Sequence, residues 1–156
     1  METCNIKTPL GIATVHGDEE GIAVISIADD GVVSEEIPDI LKVAVSQLQE
    51  YFEGKRTYFD FRMNPKGTEF QQKVWNTLLQ IPYGTTITYM EQAKLLGDVK
   101  AIRAVASANG KNPLWIVVPC HRVIGTDGSL TGYAGGLWRK KWLLELENPT
   151  LQQSLF

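Results

Sequence analysis

A cysteine, a histidine and an arginine stand side by side in the segment Pro119-Cys120-His121-Arg122-Val123, directly after the apolar run 114–118. A thiol attacks as its thiolate, so a nucleophilic cysteine needs its pKa lowered from about 8.5. A neighbouring imidazole can take the thiol proton, and a guanidinium favours a negative sulfur. The segment predicts thiol chemistry at Cys120, with a buried and inert cysteine as the alternative.

Two glycine-rich stretches follow the cysteine segment, at 125–128 and 132–136. Glycine lets the backbone approach a flat ligand closely and present its N–H groups to it. An inert, apolar cysteine site would use neither these loops nor the adjacent charges. The pattern therefore favours a ligand pocket beside the nucleophile.

Composition limits the class of protein. The 156 residues are 44% hydrophobic and 21% charged, which suits one or two small domains. No apolar stretch approaches the roughly 20 residues that span a bilayer, and the start lacks the pattern of a secretory signal. Cys4 and Cys120 are far apart, so we expect no disulfide and a cytoplasmic, nucleoid-associated location. With only two histidines beside them, we also expect no metal and no cofactor.

Charge is distributed unevenly along the chain. Residues 1–61 hold 4 basic and 12 acidic side chains, whereas residues 62–156 hold 11 basic and 6 acidic ones. This asymmetry indicates two parts, of which the second is suited to meet phosphates. Ordinary surface lysines on a folded domain remain the alternative.

The first part has the pattern of a small α/β domain. Its β-branched runs at 6–15 and 21–27 predict paired strands around a turn at 18–21. Helical spacing predicts a helix over 38–54, and residues 57–61 alternate as a further strand. We assign residues 1–62 to a supporting domain and 63–67 to a linker.

The second part, 68–150, opens with a predicted helix over 68–80 and is followed by a tail, 151–156. Capping-box pairs start its first two helices, Thr68 with Gln71 and Thr88 with Glu91. The second helix is expected to end at Gly97, and Asp98 to cap a third helix that stops at Gly110. Two short helices joined by a glycine-containing turn are typical of a helix-turn-helix.

The third helix is unusually slim. Apart from Arg103, its residues from Ala104 to Ala108 are small or short. Such a face permits tight packing inside the protein, and it equally lets a helix approach DNA with Arg103 reaching into a groove.

Six features occur together in this order: Tyr89, Arg103, Asn112-Pro113, 119–123, 132–136 and 142–147. The set closely resembles the O6-alkylguanine-DNA alkyltransferases, or methylated-DNA–protein-cysteine methyltransferases, and the bacterial forms are nearest. The resemblance covers 68–147, and extends to the first domain through Thr8-Pro9-Leu10-Gly11. It implies a ribonuclease H-like α/β N-terminal domain, with a small antiparallel sheet and a helix. The C-terminal domain would be mostly α and winged-helix-like.

The resemblance also implies a mechanism. Cys120 would accept the alkyl group from O6-alkylguanine, and from O4-alkylthymine, as a stable thioether that ends the protein's activity. His121 would act as base through a bridging water, and Glu147 would hold the imidazole and favour its charged form. Asn112 would tie the turn before the active-site strand to its backbone. On a regular strand Cys120 and His121 point to opposite faces, which favours the water relay.

The same resemblance assigns residues to DNA and to the base. The target base is flipped out of the duplex, and Arg103 would fill the vacated stack from the minor groove. Tyr89 would crowd the adjacent phosphate and offer its hydroxyl to the leaving base. The remaining assigned residues are Ala104, Ser107 and Arg122 at the DNA, and Tyr133, Ala134, Gly135, Gly136 and Trp115 around the pocket.

Three departures from the family pattern modify these expectations. Cys4 has no second thiol nearby, so the zinc site of some relatives should be absent. Ala134 offers only its backbone N–H where some relatives have a hydroxyl. Trp115 is bulky and is expected to narrow the pocket mouth against large adducts.

The tail, 152–156, reads Gln-Gln-Ser-Leu-Phe and is similar to peptides that dock on the bacterial sliding clamp. The chain is otherwise expected to act as a monomer. Alternatives to the alkyltransferase are a non-catalytic alkyltransferase-like protein that binds damaged DNA, a helix-turn-helix regulator and a thiol hydrolase. The first of these usually has Trp in place of the acceptor cysteine.

Overall fold

The computed structural model describes residues 1–151, which form two compact units. The first unit contains residues 1–66 together with 113–117, and the second contains 67–112 and the chain from 118 on. The predicted boundaries did not anticipate that residues 113–117 belong to the first unit. The tail peptide 152–156 lies outside the described residues, so its docking on a clamp stays a prediction. Within 1–151, no helix combines the length and apolar character needed to cross a membrane.

The first unit is built on a three-stranded antiparallel sheet of β1 (Glu2–Thr8), β2 (Gly11–Asp18) and β3 (Gly21–Ala28), in that order. The predicted run 6–15 is two strands rather than one. Pro9 cannot donate to a ladder, and the Thr8 hydroxyl donates to the Gly11 carbonyl at 2.8 Å to close a tight turn.

One face of this sheet forms a core with α1 (Lys42–Phe52), which follows a 3-10 turn at Asp39–Leu41. Alternate strand residues are buried because successive side chains point to opposite faces. Cys4 is one of these buried residues, and burial raises the pKa of its thiol. The helix predicted over 38–54 is confirmed, but it is shorter at both ends. Cys4 is a buried residue of this core.

The strand predicted over 57–61 is wrong. Residues 57–61 have no regular secondary structure. Strand β3 instead forms a hydrogen bond with the next residue along the chain, since the Ile22 N–H donates to the Arg62 carbonyl at 2.9 Å. The alternating aromatic pattern has another cause, since Phe59 packs on Tyr51 of α1 with ring centroids 5.5 Å apart.

Residues 113–117 run beside β3 and then turn sharply. The Trp115 N–H donates to the Ile25 carbonyl, and the Val117 N–H donates back to the Trp115 carbonyl at 2.8 Å. The intervening residue, Ile116, has a φ of 74°. A γ-turn with positive φ at a β-branched residue is strained by about 1–3 kcal/mol. The first unit ends at this turn, and the chain from Val118 belongs to the second unit.

Within residues 67–151, the second unit contains four α-helices and a two-stranded parallel pair. The helices are α2 (Glu69–Leu78), α3 (Tyr89–Leu96), α4 (Ile102–Gly110) and α5 (Leu137–Glu147). The strands are β4 (Ile87–Thr88) and β5 (Val123–Ile124). Both predicted capping boxes are confirmed, at Thr68 and at Thr88.

The predicted helix-turn-helix is formed by α3 and α4. Helix α3 ends at Gly97, whose φ of 94° is left-handed, and the Asp98 side chain accepts from the Lys100 N–H to start the turn into α4. Helix α2 supports the pair from behind, because the Trp75 indole donates to the Ala108 carbonyl at 2.9 Å.

We expect Gly97→Ala to lower the free energy of unfolding by about 1 kcal/mol, because only glycine adopts a left-handed cap without strain. Gly110→Ala is the matched control. A Cβ at Gly110 meets nothing within 4 Å and its φ is not in the left-handed region, so it should stabilise α4 by about 0.5 kcal/mol. Urea titration of both variants tests this, and equal effects would contradict the role of the cap.

Candidate active site

Cys120 begins a short 3-10 helix, Cys120–Arg122, and not the regular strand assumed from sequence. Pro119 lacks an N–H and cannot continue a ladder. The Cys120 N–H bonds to the Val118 carbonyl at 2.9 Å, which folds the backbone tightly around Pro119. Cys120 and His121 are therefore not on opposite faces of a strand, as predicted, but are consecutive residues of a 3-10 helix.

Asn112 lies where the sequence analysis placed it, between the turn and the nucleophile. Its buried side-chain amide donates to the Val118 carbonyl at 2.7 Å and to the Cys120 sulfur at 3.5 Å. One side chain thus fixes the backbone before the cysteine and approaches its Sγ.

The Cys120 thiol is protonated at rest. Burial raises its pKa, and the Asn112 hydrogen bond and the Lys140 charge only partly oppose this. A base must therefore remove the proton as the sulfur reacts.

A buried ion cluster follows the nucleophile. His121 Nε2 lies 2.6 Å from Glu147 Oε2, and the Arg122 guanidinium donates to both Glu147 oxygens at 2.7 and 3.0 Å. A third guanidinium N–H donates to the Ile81 carbonyl. Because Arg122 is 7% exposed and committed to these partners, its predicted contact with DNA is wrong.

The cluster fixes the protonation of His121. Although burial acts to raise it, His121 and Arg122 hold the pKa of Glu147 well below its usual range. Burial lowers the pKa of His121 and outweighs Glu147, while Arg122 and Lys140 lower it further. The imidazole is therefore neutral near pH 7: Glu147 favours its charged form, as predicted, but burial outweighs that effect.

This neutral imidazole donates Nε2–H to the ionised Glu147 and keeps Nδ1 as a free acceptor. Within the described residues, Nδ1 is buried and has no hydrogen-bond partner. A buried acceptor in this state can receive a proton.

A cavity of about 160 Å³ opens onto Cys120. Its walls come from the second unit and comprise Tyr89, Ala106, Asn109, Gly110, Cys120, Gly132, Tyr133 and Ala134. Three predicted site residues therefore line the cavity together with Cys120: Tyr89, Tyr133 and Ala134.

The loop behind this wall is held by the start of α5. The Gly136 N–H donates to the Tyr133 carbonyl, and the Arg139 side chain donates to the Gly135 carbonyl at 2.9 Å. Gly135 and Gly136 thus shape the pocket loop through their backbone. Trp115 belongs to the first unit, and its predicted effect on adduct size stays a prediction.

Sequence reasoning missed Lys140. Its side chain is fully buried and donates to the carbonyls of Thr131 and Gly132 at 2.7 and 3.2 Å. Burial lowers the pKa of Lys140 to about 8, and Cys120 acts in the opposite direction. Tyr89 shares one anchor, since its hydroxyl donates to the Thr131 carbonyl at 3.2 Å. In the sequence, Lys140 stands in a basic run and resembles any surface lysine.

Helix α4 presents the face predicted for DNA. Arg103, Ala104 and Ser107 are exposed, whereas Val105 and Ala108 are buried. Ala106 and Gly110 of the same helix reach the cavity wall. The small-residue face is therefore exposed and adjoins the cavity.

Fold and site together define a two-domain protein with a buried thiol nucleophile beside a helix-turn-helix. The ribonuclease-like domain of 6-O-methylguanine DNA methyltransferase matches residues 5–65, and the DNA binding domain of that protein matches 69–149. The chain belongs to the 6-O-methylguanine DNA methyltransferase family, and its second unit is a DNA-binding domain. The resemblance and the two-domain fold inferred from sequence are confirmed.

Similar proteins come from archaea and bacteria. The methylated-DNA–protein-cysteine methyltransferase of Methanosarcina acetivorans is 48% identical over 148 residues, which cover 90% of this chain and 94% of that protein. The Mycobacterium tuberculosis OGT solved in complex with DNA is 44% identical with a TM-score of 0.86, covering 96% of this chain and 94% of that one. An O6-methylguanine DNA methyltransferase from Methanococcus jannaschii is 31% identical with a TM-score of 0.68, covering 92% of each chain.

We expect Glu147→Gln to destabilise the protein by about 3–5 kcal/mol at pH 7, because it leaves Arg122 buried without its counter-charge. Because the pKa of Glu147 is lowered in the folded protein, the ionised carboxylate stabilises the fold above the unfolded carboxyl pKa of about 4.3. This stabilisation is lost as pH falls toward the folded pKa. The variant should therefore lose less stability than wild type between pH 5 and pH 3.

Urea titrations across about pH 3 to 7 measure this dependence. Glu69→Gln is the control, because its pair with Lys73 is on the surface and is worth at most about 1 kcal/mol. Parallel pH profiles for wild type and Glu147→Gln would contradict the role of the ionised cluster.

We expect Lys140→Met to slow the reaction of Cys120 with iodoacetamide about threefold to tenfold at pH 7, because a positive charge that favours the thiolate is removed. Lys141→Met changes the adjacent lysine and should leave the rate unchanged. Peptide mass spectrometry separates Cys120 from Cys4. Equal slowing in both variants would show a general charge effect and not a local one.

Proposed function

We propose that this chain repairs DNA by transferring the alkyl group of O6-alkylguanine, and of O4-alkylthymine, to Cys120 in one irreversible turnover. The observation that carries the proposal is the thiol in a cavity wall, followed by a neutral His121 that an ionised Glu147 orients. The names and DNA complex of the similar proteins support the same activity.

The proposed reaction is an in-line displacement. His121 Nδ1 takes the Cys120 proton through a bridging water, and the sulfur forms a bond to the alkyl carbon. The carbon–oxygen bond breaks, and its electrons stay on the base. Tyr89 would exchange its hydrogen bond to the Thr131 carbonyl for one to this leaving base, and its hydroxyl carries the proton to donate because burial raises its pKa.

The product explains why the protein would act once. A thioether has no leaving group that water displaces under mild conditions, so the sulfur is not regenerated. Repair therefore consumes one protein for each lesion.

The target base must leave the duplex to reach Cys120, which costs a few kcal/mol. The exposed small face of α4 supports entry into the minor groove, and Arg103 on that face is long enough to fill the vacated stack. We propose that one copy of the chain suffices, since one unit supplies the nucleophile, the base and the helix-turn-helix. We place this activity in the cytoplasm, where reducing conditions preserve the thiol.

Mass spectrometry of the intact protein tests the proposal. Incubation with a duplex containing O6-methylguanine should add about 14 Da, the net mass of a methylene, to wild type and nothing to Cys120→Ser. Cys4→Ser is the matched control and should still gain the mass. A gain that persists in Cys120→Ser would reject Cys120 as the acceptor.

The same assay separates the alternative functions. No gain in mass, with binding that is tighter on methylated than on unmodified duplex, would favour the non-catalytic alkyltransferase-like protein. Binding without preference for the lesion would favour a regulator.

A further inference from the structure

Three buried polar side chains from three helices form one hydrogen-bonded chain in the second unit. They are Thr77 on α2, Gln92 on α3 and Asn109 on α4, and they are 4%, 0% and 6% exposed. Burying polar groups is unfavourable unless they are paired. Their presence at one place between three packed helices therefore needs a reason.

The amides of Gln92 and Asn109 are paired in both directions. Gln92 Nε2 donates to Asn109 Oδ1 at 2.9 Å, and Asn109 Nδ2 donates to Gln92 Oε1 at 2.7 Å. Gln92 Nε2 also donates to the Thr77 hydroxyl at 3.1 Å, and that hydroxyl donates to the Val74 carbonyl. Two opposed bonds fix both the rotation and the translation of one helix against the other, which apolar contacts do not.

The pair joins the two helices that carry the DNA-facing residues. Gln92 lies one turn after Tyr89 on α3, so the two are close along one side of that helix. Asn109 lies on α4 with Arg103 and is itself in the cavity wall that includes Cys120. Any slip of α4 along α3 would move Arg103, the wall and Tyr89 relative to one another.

We propose that Gln92 and Asn109 are positioning residues, whose reciprocal amide pair holds α4 in register with α3. With this register Tyr89 and Arg103 engage the same nucleotide while the cavity stays aligned with the Cys120 sulfur. This inference rests on the proposed alkyl transfer. Buried polar pairs that specify register, at some cost in stability, are known from helical assemblies.

The size of the effect follows from the geometry of displacement. A misplacement of about 1 Å at a reacting centre can cost up to a hundredfold in rate. Replacing both members of a buried hydrogen-bonded pair by apolar groups of similar shape is nearly neutral for stability, whereas replacing one leaves an unpaired amide. A double substitution therefore separates an effect on helix register from an effect on folding stability.

The test compares Gln92→Met/Asn109→Leu with the exchanged pair Gln92→Asn/Asn109→Gln. We expect the apolar double variant to transfer methyl from duplex DNA about tenfold more slowly than wild type. The exchanged pair can still bond reciprocally and should recover most of the transfer rate.

Two results would overturn the inference alone, given transfer by wild type. One is an unchanged transfer rate in the apolar double variant. The other is an exchanged pair as slow as the apolar one, which would mean that Asn109 acts by direct contact with the base. Failure of wild type to transfer methyl would instead overturn the proposed function, and the inference with it.

Thr77 supplies a second test should the double variant fold poorly. Thr77→Val has nearly the same shape but cannot orient the Gln92 amide, so the transfer rate should fall about threefold. Thr77→Ser keeps the hydroxyl and should react like wild type. Equal transfer rates for these two variants would overturn the inference.

Discussion

The active site depends on a buried carboxylate, Glu147, at the last turn of α5. It accepts from His121 and from two nitrogens of Arg122, so α5 is joined to the short helix that begins at Cys120. The Gly84 N–H, in the segment that follows α2, also donates to Glu147 Oε1 at 3.4 Å. A buried ion is tolerated only with such complete pairing, and complete pairing fixes its partners. The catalytic geometry and the packing of the second unit therefore share one cause.

Much of this architecture could be predicted from local patterns. Capping boxes at Thr68 and Thr88, and the glycine stop at Gly97, depend on a few adjacent residues, and the helices begin and end there. The strand expected over 57–61 failed because its aromatic alternation serves packing on α1. The single long strand over 6–15 failed because a proline turn was overlooked. Local rules decide helix ends, whereas tertiary packing decides which alternating segments pair.

The residues of the candidate site also divide into those that the sequence indicated and those that only tertiary packing reveals. The motif around Cys120 indicated the nucleophile and its neighbours, and the resemblance linked it with Glu147, 27 residues later. The roles of Arg122 and Lys140 could not be predicted, because a basic residue in a sequence carries no sign of burial. Arg122 was assigned to DNA but supports Glu147, and Lys140 looked like a surface charge but holds the pocket loop. Long-range pairing determines both.

A nucleophile that works once gains from being unreactive until its substrate arrives. The Cys120 thiol is 8% exposed and burial raises its pKa, which disfavours the thiolate that oxidants and stray electrophiles attack. His121, the base in the proposed mechanism, is neutral and has a buried acceptor atom, because burial outweighs the effect of Glu147 on its pKa. The thiol and the imidazole are therefore both uncharged before a substrate binds. In the proposed mechanism, the proton transfer that makes the sulfur reactive is favoured only when an alkyl carbon is close enough to bond to the sulfur, because the charge then passes to the leaving base as the carbon–oxygen bond breaks.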